Sequence, residues 1–149
     1  MSSTKNGLLT KSRIIAWRQC AKRLWLETYR PEVASRTDAQ EALFETGRRV
    51  GEIAREQHPG GLLVETLTRE KALAQTAEFM NSERRPLFEG AFSADGIFIR
   101  ADLLIPEGTG WHLVEVKSST KVKPYQQEDA AIQKYVLQNA GVSVVRTSL

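Results

Sequence analysis

Three consecutive segments in the second half of the chain alternate apolar and polar positions, or are rich in β-branched and aromatic residues, as is typical of β-strands. Turn-forming residues separate them, because Asp95 and Gly96 lie in the first gap and Pro106 to Gly110 fill the second. The pattern therefore predicts an antiparallel three-stranded meander, with strands at 88–93, 97–105 and 111–117.

Apolar residues recur at helical spacing before and after this meander. Thr10 or Ser12 is the expected N-cap of the first helix, since a side-chain hydroxyl accepts a hydrogen bond from the first turn. The expected fold class is α/β (α+β), a central mixed sheet whose meander is flanked by helices. The first predicted helix runs from Thr10 or Ser12 to about residue 29, and the others cover 38–57, 68–81 and 126–139. Short strands are predicted at 62–65 and 142–145.

The length and composition are those of an ordinary globular domain. At 149 residues, with 41% hydrophobic and 26% charged residues, we expect one domain over 1–149 with a buried core. The segment 144–149 has strand character up to the last residue. An open alternative to a complete domain is therefore that the chain is the N-terminal part of a longer protein. No run approaches the ~18 apolar residues of a membrane span and no signal-peptide pattern opens the chain, so we expect a cytoplasmic protein.

Three charged residues interrupt the apolar strands. Asp102 lies inside the second predicted strand, and Glu115 and Lys117 lie near the end of the third. Alternate residues of a strand share a face, so Glu115 and Lys117 point the same way, and strand pairing can bring Asp102 beside them. Buried carboxylates are costly unless compensated, and a hard cation such as Mg²⁺ would compensate them through oxygen ligands.

Asp102, followed after a dozen residues by Glu115-Val116-Lys117, resembles the D…ExK signature of the PD-(D/E)XK nuclease superfamily. The order of the predicted elements is also similar. More closely, the chain resembles the RecB-type branch, which includes the CRISPR adaptation nucleases and related bacterial proteins. The resemblance implies a restriction-endonuclease-like core and metal-dependent hydrolysis of phosphodiester bonds in DNA, with Mg²⁺ or Mn²⁺ as the cofactor.

Within this resemblance, Asp102, Glu115 and the carbonyl of Val116 are expected to bind the metal. Lys117 is expected to position the attacking water or to balance charge that builds on the phosphate. Gln133, on the predicted helix after the meander, is expected to orient the substrate or the lysine.

Two further metal ligands are implied by the same branch. His58, which follows a helix that contains glycine, is similar to a metal-shell histidine, and imidazole suits Mn²⁺ better than Mg²⁺. Glu89, on the first strand of the meander, is expected to touch the metal directly or through water. The alternatives from the residues alone are a loop histidine and a solvent-facing strand glutamate.

Cys20 is the only cysteine, which excludes an intramolecular disulfide and suits a reducing compartment. In iron–sulfur members of the branch, the equivalent cysteine is one of four cluster ligands. Because a [4Fe–4S] cluster takes four thiolates, this chain alone cannot hold one. Cys20 is therefore interpreted as a buried or half-buried thiol, or as a ligand whose partners lie outside this chain.

A net charge of +3 permits nucleic-acid binding without establishing it. Basic residues on the first helix and after the third strand are expected to contact phosphates, although a solvated basic surface is the alternative. These residues are Arg13, Arg18, Lys22, Arg23, Lys121 and Lys123.

Two other functions remain open from the sequence. One is a non-catalytic nucleic-acid-binding module derived from a nuclease. The other is a structural or partner-binding α/β domain, in which Glu115 and Lys117 would form a salt bridge and neither metal nor DNA would bind.

Overall fold

A mixed six-stranded sheet and five α-helices make up the parts of the chain that the computed structural model describes, which are residues 9–33, 38–66 and 68–149. The predicted α/β class with a mixed sheet is confirmed. The polar sequence of residues 1–9 predicts a loose start of the chain; of these, residues 1–8 lie outside the described residues, and Leu9 belongs to a strand. The elements are β1 (Leu9–Thr10), α1 (Lys11–Gln19), α2 (Ala21–Tyr29), α3 (Asp38–Glu56), β2 (Leu62–Leu63), α4 (Arg69–Met80), β3 (Leu87–Ala94), β4 (Ile97–Glu107), β5 (Gly110–Val114), α5 (Pro124–Asn139) and β6 (Val144–Ser148), with one 3₁₀ turn at Pro31–Val33.

The strands are ordered β2-β3-β4-β5-β6, and β1 pairs with one end of β4. β3, β4 and β5 are antiparallel neighbours in chain order. The three other pairs, β2 with β3, β5 with β6 and β1 with β4, are parallel. The β1 pairing was not predicted, and it brings the start of α1 onto the sheet.

The hairpin between β3 and β4 follows from its two turn residues. Asp95 and Gly96 have φ angles of 51° and 74°, and Ala94 pairs with Ile97 across the turn. Two residues with positive φ form the tight turn whose twist matches that of paired strands, and Asp-Gly is a favoured sequence for it.

The core lies between the sheet and the helices α4 and α5. Leu104 and Leu113 on the central strands are fully buried, as are Val136 and Leu137 on α5. Gly110 allows β6 to lie close to β5, because a Cβ at this position would lie 2.5 Å from the carbonyl oxygen of Ser143. None of the helices in the described ranges combines the length and the apolar character that a membrane span requires.

The first predicted helix is in fact two helices, which corrects the sequence interpretation. Thr10 is its N-cap, and its side chain accepts a hydrogen bond from the backbone nitrogen of Arg13. Cys20 has extended backbone angles and ends α1, so α2 leaves in a new direction. Ala16 of α1 is buried, whereas no residue of α2 is, so only α1 is fixed against the core.

The third strand of the meander ends earlier than predicted, at Val114 rather than at Lys117. The reason is a side chain. The backbone nitrogen of Val116 donates a hydrogen bond to Oδ2 of Asp102 at 2.8 Å, where a continuing strand would pair with backbone. The ExK segment therefore lies just beyond the end of β5.

Candidate active site

Three carboxylates lie on β3, on β4 and directly after β5. Phe88 pairs with Leu103 and Gly90 with Ala101, so the register of β3 and β4 sets Glu89 opposite Asp102. Continuing the β4–β5 pairing by one residue beyond Leu103 and Val114 sets Asp102 opposite Glu115. Directly opposed residues of antiparallel strands share a face of the sheet, so the structure brings these three predicted site residues together.

Glu115 is held from several directions and is only 1% exposed. Its Oε2 accepts a hydrogen bond from Nε2 of Gln133, on α5. Its Oε1 accepts hydrogen bonds from Nζ of Lys117 and, at 3.3 Å, from Nζ of Lys11. Lys117 and Gln133 thus both contact Glu115. The expected role of Gln133 was to orient the substrate or the lysine, and that role stays a prediction.

Lys11 and Asp129 also belong to the site, although the sequence analysis missed both. Nζ of Lys117 donates to Oδ2 of Asp129 at 3.0 Å, and Nζ of Lys11 lies 3.0 Å from Oδ1 of the same residue. A signal for Asp129 was present in the sequence, because it shares a buried face of α5 with Gln126 and Gln133 among apolar residues. Lys11 carried no such signal, since only the pairing of β1 with β4 brings it to the sheet.

These groups line a cleft of about 770 Å³. Residues of α3 contribute to the lining of the cleft, and they include the basic residues Arg48 and Arg55. The remaining lining comes from the starts of α1 and α5, from α2 and from the sheet, and includes Lys11, Ser12, Arg23, Glu89, Asp102, Glu115, Val116, Lys117, Tyr125 and Asp129.

The protonation equilibria show an excess of negative charge. Burial raises the pKa of Asp102, even though the Val116 amide stabilises its charged form. Burial also raises the pKa of Glu115, and repulsion from Asp102 raises it further. Burial alone would lower the pKa of Lys117 and raise that of Asp129, but their mutual contact and the neighbouring charges shift each in the opposite direction. Two carboxylates are therefore only partly compensated by the two lysines.

The excess of negative charge at the carboxylates suits a divalent cation, although the arrangement of the ligands does so only in part. Asp102 uses Oδ2 for Val116, and Oε2 of Glu115 keeps a lone pair beside the Gln133 hydrogen bond. Mg²⁺ commonly binds through one or two carboxylates together with water and substrate phosphate, so this donor set suits it. Yet within the described ranges no three His, Cys, Asp or Glu side chains are arranged to hold a metal ion.

Glu89 lines the cleft, but its carboxylate lies 3.5 Å from Nε of Arg100. Arg100 in turn donates to the carbonyl oxygens of Val64 and Thr66. Glu89 also has a φ of 56°, a conformation that costs a non-glycine residue about 1–3 kcal/mol and that clusters at functional sites.

His58 is not among the residues that line the cleft. The pKa of the other histidine, His112, is lowered by burial first and then by the positive charge of Arg146. His112 forms a separate cluster, with Nε2 at 2.8 Å from Oγ of Ser148 and Nδ1 at 3.1 Å from Nη2 of Arg146. The structure therefore does not bring His58 to the carboxylates.

The predicted phosphate-binding residues lie mostly outside the cleft. Arg23 lines it, and it also pairs with Glu27 one helical turn away. Arg18 binds Glu128 on α5 through two hydrogen bonds. The other residues of the set, Arg13, Lys22, Lys121 and Lys123, are exposed elsewhere on the surface.

The interpretation of Cys20 as a buried or half-buried thiol is wrong. The thiol is exposed, because Cys20 is the extended residue between α1 and α2 and not part of the buried face of α1. Its interpretation as a ligand with partners outside this chain stays a prediction.

Comparisons of the chain with protein-family models, with curated protein sequences and with solved structures found no match.

Proposed function

We propose that this chain is a Mg²⁺- or Mn²⁺-dependent nuclease that hydrolyses phosphodiester bonds of DNA. The observation that carries the proposal is that Glu89 on β3, Asp102 on β4 and Glu115 directly after β5 line one cleft, with lysine beside them. Carboxylates are the ligands that both ions prefer. When bound, such an ion polarises phosphoryl oxygens and lowers the pKa of its water, which supplies the nucleophile.

Lys117 is the residue that we assign to the reacting phosphate. Its ammonium is anchored by Glu115 and Asp129, and its side chain stays 28% exposed at the cleft. A fixed positive charge there would stabilise the negative charge that develops on the phosphate, and removing such a donor typically costs about 3–4 kcal/mol. Gln133 acts through Glu115, whose carboxylate it holds in place.

The finer assignments belong to the same proposal. The meander of β3, β4 and β5, with α5 and β6, would be a restriction-endonuclease-like core, as the resemblance to the RecB-type branch implies. DNA would follow the basic residues of α1 and α2 into the cleft, and Arg18 would exchange Glu128 for phosphate. A cytoplasmic location is supported by the single cysteine.

The test compares metal-dependent cleavage of DNA by the wild type and by two variants, Asp102→Asn and Lys117→Met. Each variant should lose activity by about 100-fold or more, because each removes a group that acts at the phosphate. Lys134→Met is the matched control, since it removes one positive charge from an exposed position of α5 outside the cleft. Circular dichroism establishes that each variant is folded.

The metal is tested by calorimetric titration with Mn²⁺. The wild type should bind, and Asp102→Asn should bind at least tenfold more weakly. Absence of cleavage by the folded wild type with either ion, or full activity of folded Lys117→Met, would overturn the proposal.

A second candidate is a nucleic-acid-binding module without hydrolysis. It is favoured by the hydrogen bonds that occupy Glu115, because Lys117, Lys11 and Gln133 already satisfy much of its capacity. The same experiments separate the two functions. Such a module would bind DNA with an affinity that falls as salt rises, and would neither cleave it nor bind Mn²⁺.

A further inference from the structure

Lys11 reaches the carboxylate site from a distant part of the chain. It is the first residue of α1, directly after β1, and the pairing of Leu9 with Ile97 fixes its backbone at the sheet. Its side chain is 21% exposed and lines the cleft, and its Nζ lies 3.3 Å from Oε1 of Glu115. The ammonium is thus held at the cleft wall by tertiary structure.

Asp129 holds two ammonium groups at once. Its Oδ1 faces Lys11 and its Oδ2 faces Lys117, each at 3.0 Å. Oε1 of Glu115 contacts the same two lysines. Both Asp129 and Glu115 are buried, so these anchors keep two like charges side by side.

The two lysines keep hydrogen-bonding capacity. An ammonium carries three N–H donors, and each lysine faces only two carboxylate oxygens here, so at least one donor of each remains. A phosphodiester presents two non-bridging oxygens. One donor from each lysine therefore matches the two non-bridging oxygens of one phosphate group in number.

We propose that Lys11 is a second phosphate-binding lysine of the cleft and that Asp129 positions its ammonium beside that of Lys117. This inference rests on the proposed nuclease function and adds a substrate contact to it. Lys11 touches the phosphate, whereas Asp129 is a positioning residue that acts through both lysines.

The role of Lys11 is tested by binding in the absence of divalent cations. Fluorescence anisotropy of a labelled oligonucleotide is measured at several salt concentrations for the wild type, Lys11→Met and the control Lys134→Met. A lost phosphate contact lowers the salt slope by about 0.7–0.9, which corresponds to about five- to eightfold weaker binding at 0.1 M salt. Lys11→Arg, which keeps the charge, should restore most of the slope, and Lys134→Met should leave it unchanged.

The role of Asp129 is tested by its effect on turnover. Asp129→Asn removes a negative charge, so electrostatics alone predicts tighter binding of DNA and an unchanged kcat. Positioning predicts instead that kcat falls at least tenfold while KM does not rise, and that Asp129→Glu recovers part of the loss. A purely structural role would lower the melting temperature without this separation of kcat from KM.

The outcomes distinguish this inference from the function on which it rests. A folded wild type that neither binds nor cleaves DNA overturns both. A wild type that cleaves DNA, together with folded Lys11→Met or Lys11→Gln of wild-type affinity and salt slope, overturns the role of Lys11 alone. Wild-type kcat in folded Asp129→Asn overturns the role of Asp129.

Discussion

The hydrogen bond from Gln133 to Glu115 joins α5 to the carboxylate site, and its removal should be measurable as a loss of stability. Gln133 is fully buried, and its Nε2 donates to Oε2 of a glutamate that is itself 1% exposed. Gln133→Leu keeps a side chain of similar size and removes the donor. Glu115 then retains its lysine contacts but has one buried oxygen without this partner.

Two opposing effects set the magnitude. A hydrogen bond to a charged group contributes about 1.5–3 kcal/mol, and that contribution is lost. Oε1 of Gln133, however, is buried with no hydrogen-bond partner among the described residues, so replacing the amide removes that cost of about 1 kcal/mol. The expected net loss is about 0.5–2 kcal/mol. For a chain of this length, it corresponds to a melting temperature about 1–8 °C lower.

The measurement is thermal and denaturant unfolding at neutral pH, with Gln138→Leu as the control because Gln138 is exposed on the same helix. A double-mutant cycle isolates the pair. In a Glu115→Gln background, Gln133→Leu should cost about 1 kcal/mol less, because the partner is then uncharged. Equal unfolding midpoints for wild type and Gln133→Leu, or a cycle without coupling, would refute the reasoning.

Two further predictions concern pH and the core. Burial raises the pKa of Asp102 and of Glu115 above the ordinary values of 3.8 and 4.5. The folded state therefore binds protons at these two carboxyl groups more tightly than the unfolded state does. As a result, the free energy of unfolding should rise as the pH falls from neutral towards about 4.5. Asp102→Asn should reduce this rise, which is measured as the melting temperature at pH 5 minus the melting temperature at pH 7. The lowered pKa of His112 changes stability in the opposite direction, but it does so equally in the wild type and in the variant. An unchanged difference would contradict this assignment. Leu113 is fully buried, so Leu113→Ala should lower the free energy of unfolding by about 2–5 kcal/mol, measured with denaturant. Leu43 is 66% exposed, so the control Leu43→Ala should lower it by less than about 0.5 kcal/mol. Equal losses for the two variants would contradict the core assignment.

The central strands and most of the carboxylate site were predictable because their signals are local. Period-two alternation and the Asp-Gly turn mark β3 and β4 without any knowledge of the tertiary structure. Asp102 and Glu115 stand out because each is an acidic residue in a predicted strand made mostly of apolar residues. Gln133 could be named only through the resemblance, although its place among the buried residues of α5 is a physical signal of the same kind.

What could not be predicted depends on contacts between distant segments. Lys11 looks like any solvated residue at a helix start, and only the pairing of β1 with β4 gives it a role. Nothing in the sequence marks the break between the helices at Cys20, because the residues on both sides of it favour a helix. The early end of β5 required knowing that the Val116 amide would find the carboxylate of Asp102.

The energetics of the carboxylate site favour the proposed binding of a ligand over an ion-pair network that serves the fold alone. A buried ion pair contributes little net stability, because the desolvation of its charges offsets their attraction, and apolar residues of similar volume often serve the fold equally well. Here burial raises the pKa values of Asp102 and Glu115, so keeping both carboxyl groups ionised at neutral pH costs stability. That cost arises where the cleft opens, on two carboxylates whose neighbours include Lys11 of α1 and Gln133 of α5. Such an arrangement is expected of a site whose charges act on a ligand.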